Sequence, residues 1–301
     1  MCYYVCMTDT NKTVIVKTNG FGNNPKLDKH LSFAKGNAKL DGDTYIISLP
    51  AGHTCLAANL CRSSADRTTG KITDGPNTEF RCFATLPENL FKTVRQSRWN
   101  NFDLLKDAKT AIGMAHLIES SLLLKKNVKR IRIHGSGDFF NQAYFDAWLM
   151  VAQQHPDWIF YGYSKMLPLW VKRLNVIPSN MKLVASRGGK FDNLIDMMGL
   201  RSAKVVFSED EAKQLGLEID HDDSLVWKGN KDFALLLHGT QPAGSTAGKA
   251  WYQISKHGRG GYKADYFGKG KKKTVTVPMV ATINTAAGKI TIHPHTPVYA
   301  K

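Results

Sequence analysis

Three cysteines, Cys55, Cys61 and Cys82, carry the most specific chemistry in this sequence, with five and twenty residues between them. Three thiolates on one loop can bind zinc or three irons of a cubane cluster, whereas a thiol left free is a small buried hydrophobe. Zinc sites usually pair ligands as C-x₂₋₄-C and add a fourth Cys or His, which this spacing does not do. A cluster on three cysteines leaves one iron open to substrate, cofactor or a non-cysteine ligand. The spacing therefore favours a cluster over zinc, with His53 and His134 as extra ligands or hydrogen-bonding neighbours. Cys2 and Cys6 reach such a site only if the N-terminus folds over it. An odd count of five cysteines argues against a disulfide framework. The start of the chain lacks a basic region followed by a long apolar run, so a reducing cytoplasm is expected.

The elements that must position these thiols are strands alternating with helices. Short apolar runs occur at Tyr45–Leu49, Val128–Ile133, Trp158–Tyr163, Lys182–Ala185, Ala203–Phe207 and Phe233–Leu237, after a first strand at Thr13–Lys17. Amphipathic spacing predicts helices over Asp103–Lys125, Gln142–Gln154 and Glu209–Leu215. The last opens with Ser208 and Glu211 in capping-box register and closes at Gly216. Runs without period-2 alternation, separated by helices, indicate a parallel sheet covered by helices. Six such units suit a partial (β/α)6-type barrel or an open doubly wound sheet. We expect the partial barrel, of mostly parallel strands with helices outside, over residues 45–262. A strand-and-loop segment precedes it at 1–44, and a basic extension follows at 263–301.

In parallel α/β folds ligands bind at the carboxyl ends of the strands. Here those ends read Pro50–Cys55, Ser136-Gly137-Asp138, Ser164-Lys165, Ser186-Arg187-Gly188-Gly189, Ser208-Glu209 and His238-Gly239-Thr240-Gln241. Helix capping and tight turning account for some of these clusters, Ser208 among them. They do not account for a His or Lys at several ends. Arg187-Gly188-Gly189 and Gly239–Ser245 could cradle an anion. Arg95, Arg98 and Trp99 suit either nucleic-acid contact or an amphipathic helix start.

The formal charge of +16 makes an anionic partner plausible, nucleic acid included. Eight Lys/Arg against one acid, Asp265, lie between Lys249 and Lys273. A binding role predicts that the excess lies beside the strand-end cavity, with Lys165, Arg187 and Lys249 meeting a polyanion together with the tail lysines; a solvated tail is the alternative. No run of apolar residues is long enough for a membrane span.

Several motifs together resemble one family. Ile47–Cys55, Arg81-Cys82-Phe83-Ala84, Ser97–Leu105, Ser136–Phe140, Ala185–Gly189 and His238–Ser245 closely resemble the gene-product-eighty-eight family of bacteriophage proteins, over roughly residues 20 to 262. The three cysteines of that family match Cys55, Cys61 and Cys82; Leu56 stands where many members have proline. The resemblance implies phage origin and brings little function with it.

A weaker similarity is to radical S-adenosylmethionine enzymes, which carry a three-cysteine loop after the first strand of a six-unit partial barrel and a Gly-Gly-Glu-like turn after the second. Ser136-Gly137-Asp138 is similar to that turn, which implies that Asp138 accepts from the amino group of S-adenosylmethionine. The cysteine spacing departs from their C-x₃-C-x₂-C pattern, so the similarity bears on architecture and cluster more than on radical chemistry. Asp138 could equally ligate the open iron or cap the helix beginning near Asn141. We therefore expect a [4Fe–4S]-type cluster on Cys55, Cys61 and Cys82, with Ser136, Gly137, Asp138, Lys165, Arg187 and His238 lining the cofactor cavity. The protein is then an enzyme that uses the open iron, or a non-catalytic cluster-bearing factor that binds nucleic acid or a host protein.

Overall fold

The computed structural model describes residues 3–7, 13–17, 30–36, 40, 43–256, 279–284 and 289–294. In chain order, β1 (Tyr3–Met7) and β2 (Thr13–Lys17) form a hairpin. β3 (Phe33–Lys35) pairs antiparallel with β4 (Thr44–Ser48). The excursion after β4 holds a small hairpin, β5 (Ser63–Ala65) and β6 (Ile72–Asp74). Helices α1 (Thr85–Leu90), α2 (Lys92–Ala108) and α3 (Ala111–Leu123) complete it. Strand and helix then alternate: β7 (Arg130–Ser136), α4 (Gln142–Gln154), β8 (Ile159–Ser164), α5 (Leu167–Val171), β9 (Met181–Ser186), α6 (Asn193–Met197), β10 (Ser202–Val206) and α7 (Glu209–Gln214). β11 (Glu218–Ile219), α8 (Ser224–Lys228), β12 (Phe233–Leu236) and α9 (Thr246–Lys256) follow. The chain divides into two units, Met1–Tyr266 and Phe267–Lys301. The second holds an antiparallel hairpin of β13 (Met279–Asn284) and β14 (Lys289–Pro294).

The main sheet has eight strands in the order β11-β12-β10-β9-β8-β7-β4-β3. β4, β7, β8, β9, β10 and β12 are parallel neighbours in the order in which the chain makes them. This is a mixed α/β fold with a largely parallel sheet, as the alternation predicts. The six expected strands match these six within three residues at each end. Right-handed crossovers between sequential parallel strands put their helices on one face. Tyr45, Ile47, Ile131, Ile133, Phe160 and Ala185 accordingly pack on that face with Met114, Ile118, Tyr144 and Trp148 of α3 and α4.

Two local expectations fail for identifiable reasons. The single helix over Asp103–Lys125 is two helices, because Lys109 takes φ 60° and the Thr110 hydroxyl caps the second by accepting from Gly113 N at 3.1 Å. A Thr that bonds nearby backbone competes with helix continuation. The absence of alternation also fails in β7, where Ile131 and Ile133 enter the helix-side core and Arg132 pairs elsewhere. Arg132 meets the buried Asp223 carboxylate at 2.9 Å. Beside that pair, Tyr161, Val184, Ala203 and Phe233 pack on Val226 of α8. The second face of the sheet is thus partly polar, filled by the 220–228 segment.

Candidate functional site

The cysteine-bearing excursion leaves β4 at the carboxyl end of the sheet and is tied down at three other strand ends. Leu49 N donates to Ser136 O at 2.8 Å, and Asp138 N donates to Thr54 Oγ1 at 3.3 Å, which joins it to the end of β7. Asn59 N and Leu60 N donate to Gly188 O, and Lys190 N donates to Ala57 O, which joins it to the loop after β9. Gln241, beyond β12, grips the residue before Cys82: its Oε1 accepts from Arg81 N at 2.6 Å and its Nε2 donates to Arg81 O at 3.0 Å. His238 packs on Phe83 with ring centroids 4.3 Å apart.

Two glycines are required for this crossing. Gly52 has φ +70°, and a Cβ there would lie 2.2 Å from Ser63 O. Gly137 has φ +86°, and its Cβ would lie 2.6 Å from Thr54 Oγ1. Both positions favour the left-handed region that only glycine enters freely.

Cys55, Cys61 and Cys82 are half-buried and unbridged. Burial, then Asp138, Cys82 and Cys61, push the Cys55 thiol well up. Burial and Cys61 push the Cys82 thiol up to about 12, while Lys165 and Arg98 pull it down. The three thiols, the Asp138 carboxyl and two cations therefore share one electrostatic neighbourhood. Among the described residues, no three His, Cys, Asp or Glu side chains are grouped to hold a single metal ion.

The expected cofactor residues divide by how their polar atoms are used. Asp138 is buried; its Oδ1 accepts from Ser164 Oγ at 2.7 Å and Phe139 N at 2.8 Å, and its Oδ2 from Lys165 N at 2.8 Å. It does not cap α4; the Asn141 side chain does, accepting from Tyr144 N. Burial raises the Asp138 carboxyl, and these donors hold it back. Lys165 Nζ donates to Ser186 O, Ser186 Oγ and Arg187 O at 2.6–3.1 Å, which uses all three of its hydrogens. Arg187 pairs with Asp196 at 3.0 Å and donates from Nε to Ser202 Oγ. The polyanion contact expected of Lys165 and Arg187 thus meets cations already engaged within the chain. Ser136 is buried, and its Oγ accepts from Arg98 Nη1 at 3.0 Å. Beside Leu60 and Gly188 a cavity of about 590 Å³ opens, lined also by Phe80, Arg187, Lys204 and Phe207.

Sequence reasoning missed Glu88 as a site residue. It is fully buried; its Oε1 accepts from Ala51 N at 2.9 Å and from Arg98 Nη1 at 2.6 Å. It thereby links the base of the cysteine loop to α1 and α2. The basic–aromatic cluster is built into the fold. Arg95 is buried and donates to Glu88 O, Arg67 O and Thr68 O. Trp99 packs against His53 at 4.5 Å, with Arg67 4.6 Å from its ring centroid. Cys6 lies in β1, and Cys2 lies outside the described residues, as do Lys271, Lys272 and Lys273.

Fold and site together define an α/β protein whose largely parallel sheet gathers three thiols at its carboxyl edge. The family model described as gene product 88 matches residues 16–253, and the chain belongs to that family. A gene 88 protein of Mycobacterium phage L5 is 32% identical over 91 residues, covering 28% of this chain and 38% of the relative. A gene 88 protein of Mycobacterium phage D29 matches with the same identity and coverage. The matched stretch thus spans 38% of the length of these curated relatives. No solved structure matches the chain significantly. Among the described residues no helix is long and apolar enough to cross a membrane.

Proposed function

We propose that this chain is a phage iron–sulfur protein acting in the host cytoplasm, with a [4Fe–4S]-type cluster on Cys55, Cys61 and Cys82 at the mouth of a partial (β/α)6-type barrel. The observation that carries this reading is the shared field of three thiols with five and twenty residues between them. A tetrahedral ion about 2.3 Å from each sulfur needs its thiolates within about 4 Å of one another. The described residues offer no such group, and a multi-iron cluster spans a wider set of sulfurs. Thiolates held this close repel one another, and a polycation between them would relieve that repulsion. What supports the reading is the donor type, three cysteines on one strand-end excursion. When bound, it would supply one open iron, as a Lewis acid or as a one-electron reductant toward S-adenosylmethionine.

The chain's own residues orient and enclose. Gln241 fixes the backbone before Cys82, Glu88 fixes the base of the Cys55 loop, and Gly137 lets the β7 end approach Thr54. The cavity of about 590 Å³ beside Leu60, the residue before Cys61, has the size of a small-molecule site. Its lining combines Phe80 and Phe207 with Lys204 and the carboxylates of Glu79, Asp192, Glu211 and Asp232, which suits a ligand with a flat apolar part and charges of both signs, as S-adenosylmethionine has. The six parallel strands in chain order support the barrel reading and, with it, the likeness to radical S-adenosylmethionine enzymes.

Electron paramagnetic resonance of the anaerobically purified, reduced chain tests this. A cluster signal that changes when S-adenosylmethionine is added is the expected result; no iron signal under any reduction would overturn the cluster. The charge of +16 favours a second reading, a non-catalytic cluster-bearing protein that binds nucleic acid or a host protein. A cluster signal indifferent to S-adenosylmethionine, with DNA or RNA affinity that falls steeply with salt, is its signature.

A further inference from the structure

We propose that Arg98 is an anion-recognition residue of the thiol site, receiving a carboxylate or phosphate group of a small ligand on the guanidinium edge that the fold leaves open. The inference rests on the reading of this site as a small-ligand site and not on the cluster.

A guanidinium carries five N–H donors in a rigid fork. In Arg98 a single nitrogen, Nη1, makes all the internal contacts: Ala84 O at 2.7 Å, Glu88 Oε1 at 2.6 Å and Ser136 Oγ at 3.0 Å. Among the described residues, Nε and Nη2 have no acceptor. They are also absent from the fully buried polar atoms left without partners, so neither is wholly sealed from solvent. The side chain is 12% exposed while its partner Glu88 is 0% exposed, so Nη1 is anchored on a wholly buried carboxylate and the residue itself sits at the margin of the interior.

Other arginines show that the open edge is not a general property of this chain. Arg81 spends Nε and Nη2 on Asp74, Arg173 spends them on Asp146, and Arg187 spends them on Ser202 and Asp196. Arg95, one turn earlier on α2, has a carbonyl on each of its three nitrogens. The Nε/Nη2 edge presents two parallel donors matched to two oxygens of one oxyanion. Arg98 also lies within electrostatic reach of the Cys82 thiol. Glu88 cancels part of its charge, so recognition is directional and short-range.

A pair of alkylating probes reads this directly on the full-length chain in its thiol form. Iodoacetate carries a carboxylate and iodoacetamide is its neutral counterpart. In both cases the Cys82 thiolate forms a C–S bond and iodide leaves, so the rates differ through recognition of the probe. Modification of Cys82 is followed by peptide mass spectrometry.

The iodoacetate-to-iodoacetamide rate ratio should exceed that of the unfolded chain by on the order of tenfold, the worth of one charge-assisted hydrogen bond. Arg98→Met should bring the ratio down to the unfolded value, and Arg98→Lys should retain part of it. A wild-type ratio equal to that of the unfolded chain, or one unchanged in Arg98→Met, overturns the proposal. If circular dichroism shows that Arg98→Met does not fold, competition on the wild type decides. Phosphate or acetate that slows iodoacetate but not iodoacetamide supports the proposal and names the ligand's anion; no slowing by either overturns it. A chain that passes this test and binds no iron would lose the cluster reading alone.

Discussion

Two neighbouring corners of the strand-end face use similar residues in opposite ways. At the Asp138–Lys165 corner both carboxylate oxygens and all three ammonium hydrogens are taken by the chain itself. These contacts join the ends of β7, β8 and β9 into a brace. At the Cys55–Cys61–Cys82 corner the thiols are unbridged and Arg98 keeps two nitrogens open. Buried polar groups satisfied internally give rigidity, while groups left open on a rigid frame give a place to bind. The first corner holds the second in shape.

The sharpest way to break this contrast is Asp138→Ala, which strips partners from Ser164 Oγ, Lys165 N and Phe139 N at once. Leaving buried donors unsatisfied should cost about 3 kcal/mol or more, read as a shift in the denaturation midpoint. Asp138→Asn should cost less, since it keeps an acceptor. Stability within 1 kcal/mol of wild type, at about the scale of a surface change, would show that the corner is no brace.

A second test acts through acid. His134, on β7 before Ser136, is buried with φ +67°, and burial lowers its pKa to about 3. The folded chain then binds fewer protons than the unfolded one. Its contribution is present above the ordinary histidine pKa of about 6.5 and is lost as pH falls toward the folded value. His134→Asn keeps a residue that tolerates the left-handed region and removes this titration. The stability gap between wild type and variant should change by about 1.4 kcal/mol per pH unit across that window. Parallel stability curves would place the proton elsewhere.

Gln241→Ala, which frees the backbone before Cys82, should cost about 1–2 kcal/mol. The smallest effect belongs to the open corner: in the thiol form Cys61→Ala should alter stability by no more than about 1 kcal/mol. An effect as large as that of Asp138→Ala would erase the distinction between the two corners.

Much of this frame was legible in the residues, because apolar β-branched runs and glycine clusters report strand ends directly. Trp148 and Tyr144 announce the buried stripe of α4, and the helix spans the expected residues. The antiparallel edge β3 and the two-residue β11 were not legible, since strands of two or three residues show no period. Nor was the filling of the second face, which depends on Asp223 meeting Arg132 from ninety-one residues away in sequence. At the site, the thiols and Asp138 stood out by type, and Arg98 and Gln241 by the clusters they sit in, whereas Glu88 acts through tertiary contacts that no local pattern marks. Lys165 and Arg187 stood out for charge, and the fold spends that charge on holding loops together.

Iron and acid-labile sulfide measured in anaerobically purified protein test the central claim most directly. The account predicts about four of each per chain for a full [4Fe–4S] cluster. Changing Cys55, Cys61 or Cys82 to Ala should remove most of both, while Cys2→Ala should leave them in place. Stoichiometric zinc without sulfide, or iron that survives loss of Cys82, would contradict it.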